Sequence, residues 1–213
     1  MTRSRAAFDL FVASAFLSLR LWTDSSAVLS KPLRTAVAIA TVVVIGCLFL
    51  REGPSLQSLG LRPRSWIEGL RSLILGTLVA IVFLVGLGAA QGTLFAARDL
   101  GKWLGSVWHL ALLQQILLQG FLAPRVGAVL HDAGVRGSLA TAVVFSFFHL
   151  PNPILTPLAF LGAFGWCEWF RRHHNLPALW ASHLALGFAV IATQDPELLR
   201  RMRVGAAYIH FRN

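Results

Sequence analysis

Leu113-Gln114-Gln115-Ile116-Leu117-Leu118-Gln119-Gly120-Phe121 sets three amides inside an otherwise apolar run, with Trp108-His109-Leu110-Ala111-Leu112 before it and Leu122-Ala123-Pro124-Arg125 after it. On a 3.6-residue repeat Gln115 and Gln119 share a face one turn apart, and Gln114 lies beside them. A lipid-facing helix has no use for such groups. At membrane depth polar side chains look inward, toward other helices or a wet cavity. The stretch therefore predicts a helix at the centre of a bundle in a bilayer.

The rest of the chain fits that reading. Of its 213 residues 56% are hydrophobic and 13% charged, and the mean hydropathy is +0.66, which excludes an ordinary soluble domain. At roughly 20 apolar residues per crossing, the length admits an all-α polytopic transmembrane helix bundle of about six to seven membrane helices. The formal net charge of +10 raises nucleic acid as a partner, but the arginines fall in the gaps between apolar runs. They read as interfacial anchors, which makes membrane lipid the expected partner and leaves no nucleic-acid stripe. Lys and Arg occur on both sides of the alternating spans, so loop charge fixes no orientation. Cys47 and Cys167 both lie in apolar segments; two such residues form neither a disulfide framework nor a metal-ligand spacing and read as small packing groups.

Three regions are expected: an N-terminal helix and linker (1–35), a transmembrane domain (36–193) and a basic tail (194–213). Arg3 and Arg5 precede an apolar run over 6–19, as in the first regions of a signal peptide. Leu21-Trp22-Thr23-Asp24 is a poor cleavage site, so an uncleaved helix is expected, either lying in the interface or crossing as a short span. Spans follow at 36–50 and at 70–87, the second carrying Gly76, Gly86 and Gly88 for close helix approach. Between them, Leu59-Gly60-Leu61-Arg62-Pro63-Arg64-Ser65-Trp66 reads as a Pro- and Gly-punctuated loop with an interfacial Trp. Arg98, Asp99 and Lys102 mark the next surface. The glutamine-bearing helix is expected over 103–122, a loop over 124–137 and a short helix over 138–150. Pro151-Asn152-Pro153 stops that helix, and further spans run over 154–170 and 178–192.

His149 and His183 are ionisable groups in separate apolar helices, costly enough in lipid to suggest a shared interior site. The order Gln114-Gln115-x-x-x-Gln119, Phe145-x-x-x-His149, His183-x-x-x-Gly187 resembles the CAAX prenyl endopeptidase and bacteriocin-processing (CPBP) group of intramembrane glutamic proteases. That group's pattern runs Glu-Glu-x-x-x-Arg, Phe-x-x-x-His, His-x-x-x-Asn. The Gly-Leu-Arg-Pro run at Gly60 and Leu179-Trp180-Ala181-Ser182-His183 are similar to the family's flanks, and the resemblance spans roughly 59–191. It implies a CAAX-protease-like bundle and an endopeptidase of membrane-embedded or lipidated peptides. Position 114 would hold the carboxylate that activates water, and 115 and 119 a supporting acid and base pair. His149 would hold the water or oxyanion, and His183 with position 187 would complete the cradle.

Four of these positions depart from the pattern: Gln114, Gln115, Gln119 and Gly187. An amide accepts a proton far too weakly to act as a general base, and losing such a base typically removes on the order of 10² to 10⁴ in rate. A neutral hydrogen-bonded pair, Gln115 with Gln119, would replace the family's ion pair and keep the scaffold. The resulting expectation is a catalytically impaired or non-catalytic homologue that binds membrane-associated or lipidated peptide, in a bacterial inner (plasma) membrane, with no cofactor. Its rivals are an active endopeptidase that processes C-terminal or signal-type peptides, and a membrane accessory or assembly subunit. Glu168, beside Arg171 and Arg172, reads as an interfacial salt bridge rather than a base. Ser182 is adjacent to His183 and expected on another side of the helix, and Cys167 shows no thiolate stabilisation beyond nearby arginines. Two imidazoles without a carboxylate or thiolate give an incomplete zinc shell, so no metal is expected.

Overall fold

The computed structural model describes residues 1–24, 29–61, 66–96 and 100–210, with the side chains of Trp66, Glu68, Gly69 and residues 100–106 left aside. The expected loop at Arg62-Pro63-Arg64-Ser65, the interfacial Trp66 side chain, Arg98, Asp99 and the Lys102 side chain lie outside what is described. Among the described residues every regular element is helical. Helix α1 is Arg3–Thr23, α2 Lys31–Leu50, α3 Trp66–Gln91 and α4 Leu100–Gln115. A π-helical segment, Ile116–Leu122, leads directly into α5, Ala123–Leu130. Then come α6 Val135–Phe147, α7 Leu155–His173, α8 Leu176–Thr193 and two short tail helices, α9 Pro196–Leu199 and α10 Ala206–Ile209. Among the described residues, four stretches are long and apolar enough to cross a membrane: Arg3–Thr23, Lys31–Leu50, Leu70–Gln91 and Leu176–Thr193.

Apolar pattern and packing agree in α2 and α3. Both are hydrophobic around most of their circumference, and Val42, Val43, Leu75, Val79, Val82 and Phe83 stay exposed, a face suited to lipid rather than water. The interior lies where α6 packs on α7, α3 and α4 pack on α8, and α1 packs on α2 and α5. Leu118, Phe121 and Leu122 from the π segment meet Phe145, Trp166 and Leu179 there. Of Gly76, Gly86 and Gly88 in α3, Gly88 alone makes a close approach: a Cβ there would strike the Thr193 carbonyl, whereas Gly76 and Gly86 face open space.

The expected loop over 124–137 is largely helix. Helix α5 runs through Pro124 to Leu130, and His131, at φ 52°, closes it. Pro124 is tolerated because its missing N–H and bulky ring fall where the ladder has already widened; the Ala123 N–H reaches the Leu118 carbonyl five residues back. The continuation buries Arg125, at 2% exposure. Its guanidinium meets Asp9 of α1 at 3.1 Å, the Leu48 carbonyl at 2.9 Å and the Phe121 carbonyl at 3.3 Å. Arg51 pairs with the other Asp9 oxygen. Helix α1, whose depth the sequence leaves open, thus packs against the bundle with a fully buried carboxylate neutralised from two sides.

The tail is docked rather than free. Asn152, fully buried, donates to the Leu199 and Arg203 carbonyls, each at 3.0 Å. Its own oxygen accepts from the Ile154 and Leu155 N–H groups at 3.1 and 2.9 Å, capping α7. The Gly205 N–H reaches the Leu150 carbonyl at 2.7 Å. The arginines of the tail, expected to face headgroups, include one that folds back: Arg200 lies 4.5 Å from the Tyr208 ring centroid.

Candidate active site

The π segment positions the amides. In a wider turn each residue advances less around the axis than the 100° of an α-helix, so spacing four residues apart no longer stacks side chains as expected. Gln115, the last α4 residue, and Gln119, inside the π turn, are both buried, but they do not hydrogen-bond each other. The Gln115 Oε1 and Gln119 Nε2 atoms are both without a partner. The expected neutral amide pair is therefore absent. Gln115 Nε2 instead lies 3.2 Å from His183 Nδ1. Gly120 next to them lets Leu59 and Phe49 pack close, since a Cβ there would come within 2.7 Å of Leu59 Cδ2 and 2.9 Å of Phe49 Cε2.

Helix α8 delivers His183. Asn175, fully buried, caps it by accepting from the Ala178 N–H at 3.0 Å, and Pro177 sits in its first turn. The His183 ring packs on Trp166 of α7, centroids 4.3 Å apart and 33° between planes. Trp166 Nε1 donates to Ser182 Oγ at 3.3 Å, and Ser182 Oγ lies 2.8 Å from Thr77 Oγ1 of α3. Ser182 and His183 thus share Trp166 while their polar atoms go to different helices. With the Gln115 nitrogen donating, His183 Nδ1 accepts and the imidazole proton sits on Nε2.

His149 stands two residues beyond the end of α6. Its Nδ1 lies 3.0 Å from the Phe145 carbonyl, and its ring is 4.9 Å from the Phe145 ring. A carbonyl only accepts, so Nδ1 carries the proton and Nε2 of the neutral ring is open as an acceptor. The phenylalanine and histidine of the Phe145-x-x-x-His149 spacing therefore touch each other.

Two of the positions singled out in the sequence stand apart from these contacts. Gln114 is half-buried and hydrogen-bonds no described residue. Gly187 is buried where α8 meets α4; a Cβ there would sit 3.5 Å from Val107 Cγ1, so the position serves helix approach and offers no polar group. Glu168 is committed at the rim to Arg171 at 2.7 Å and Arg172 at 3.7 Å. Sequence reasoning missed Trp166, the platform under His183. A polarity-based reading passes over it as a packing residue.

The arrangement can hold polar groups in a largely apolar interior, but its donors and acceptors are amides, a thiol and neutral imidazoles. Residues 96–189 match a family model described as type II CAAX prenyl endopeptidase Rce1-like. No curated protein and no solved structure matches the chain.

Proposed function

The chain belongs to the CPBP/CAAX-protease family, and from that premise we propose that this integral membrane protein binds a lipidated or membrane-embedded peptide without cutting it. It is an intramembrane-protease homologue; loss of catalysis, the peptide client and residence in a bacterial inner membrane are the proposal. One observation carries it. Position 114, which would hold the family's water-activating carboxylate, is an amide, as is its neighbour Gln115, which bonds His183 at 3.2 Å. An amide cannot take a proton from water at neutral pH. The scaffold around it is intact, with His149 and His183 both held by specific contacts.

An active endopeptidase is the second reading, favoured by His149, whose Nε2 is open as an acceptor while Nδ1 meets the Phe145 carbonyl. The test is cleavage of farnesylated C-terminal peptides by the purified full chain in detergent. The peptides should stay intact, and the combined Gln114→Glu, Gln115→Glu and Gln119→Arg variant should recover weak cleavage. Turnover by the unaltered chain that is abolished by His149→Ala would overturn the proposal in favour of the second reading.

A further inference from the structure

We infer that Gln115 and Gln119 together grip one peptide group of the client's backbone, Gln115 Oε1 accepting an N–H and Gln119 Nε2 donating to a C=O. This rests on the client-binding reading above and names the chemistry by which the client is held. Gln115 is fully buried and Gln119 is 4% exposed. The Gln115 nitrogen is committed to the protein, 3.2 Å from His183, and its Oε1 is a buried acceptor without a partner. Gln119 Nε2 is a buried donor without a partner. Most buried polar atoms are hydrogen-bonded. Two orphans of opposite character in adjoining turns are matched by a ligand group that donates and accepts at once.

The surroundings select a neutral group. Nearby Arg125 is fully engaged by Asp9 and by the Leu48 and Phe121 carbonyls, so no free cation waits there for a carboxylate or phosphate. Leu118, Phe121 and Leu122 line the same helical turn, and an anion would be costly among them. A secondary amide is neutral, and its N–H and C=O leave the group in opposite directions, as two separated side chains require. The apolar surroundings also suit a chain entering with its lipid.

The experiment measures binding of a fluorescent tetrapeptide, S-farnesyl cysteine followed by three apolar residues, to the full chain in nanodiscs. Three analogues each replace one backbone amide with an ester, which removes the N–H donor and keeps the shape. One ester should bind about tenfold or more weakly than the parent. That penalty should vanish in Gln115→Leu and persist in Gln115→Glu, which keeps an acceptor and controls for folding. Gln119→Leu should weaken the parent and all three esters alike. Equal binding of all four peptides to the unaltered chain, or an ester penalty unchanged in Gln115→Leu, overturns the inference: the amides then hold only water. No binding of the parent peptide at all removes the client-binding reading itself. Cleavage of a tightly bound, ester-sensitive peptide removes only the claim that the homologue is inert.

Discussion

At the scale of single residues the least replaceable group outside the candidate site is the Asp9 carboxylate, which is fully buried and 3.1 Å from Arg125. Breaking a buried pair strands the surviving charge, so Asp9→Leu or Arg125→Leu alone should each cost about 3–5 kcal/mol. The double replacement should recover most of that, because Arg51, 40% exposed, can turn outward. Reversible unfolding in mixed micelles measures this, and additive losses in the double variant would count against a buried pair. This is also where the sequence speaks unevenly. Asp9 is visible as a charge in an apolar run, and Arg125 as one beside Pro124, but nothing in local spacing joins positions 116 residues apart. His149 and His183 are legible because an imidazole at membrane depth stands out against its neighbours. Asn152 hides between two prolines that account for the chain break without it.

At the scale of elements, periodicity finds the helices and misjudges how they meet. Apolar runs locate α2, α3 and α8 to within a few residues, since length and composition suffice for a span. The π turn is not legible, because a 3.6-residue template assigns Gln115 and Gln119 to each other, whereas Gln115 meets His183. The α3 glycines show the same limit, because small residues permit close approach without saying which is used. Gly88→Val would drive a side chain into Thr193 and Leu94 and should destabilise the α3–α8 contact by about 1–3 kcal/mol. Gly76→Ala meets nothing within 4 Å and should be neutral or stabilising by up to about 1 kcal/mol through helix propensity. Thermal midpoints of the two variants in the same detergent test the contrast; equal shifts would mean that α3 packs in another way.

At the scale of the whole molecule, the family match over residues 96–189 covers the elements that bear both histidines and the three glutamines. The rest of the fold closes around them. Helix α1 supplies the counter-charge for Arg125, Thr77 of α3 supports Ser182, and the tail is tied to Asn152 next to the His149 turn. That organisation has a consequence in time. As the chain leaves the ribosome, Asp9 is followed by one cationic partner after 42 residues and by the other only after 116. A carboxylate entering the bilayer alone is costly, so Arg51 would act as a temporary escort, holding the first helix beside the second until α5 is made. Arg51→Leu should therefore lower the amount of chain that inserts in the cell, yet barely shift the melting of what does assemble, where Arg125 has taken over. Comparable losses in yield and in melting temperature would show that the escort is needed throughout the protein's life.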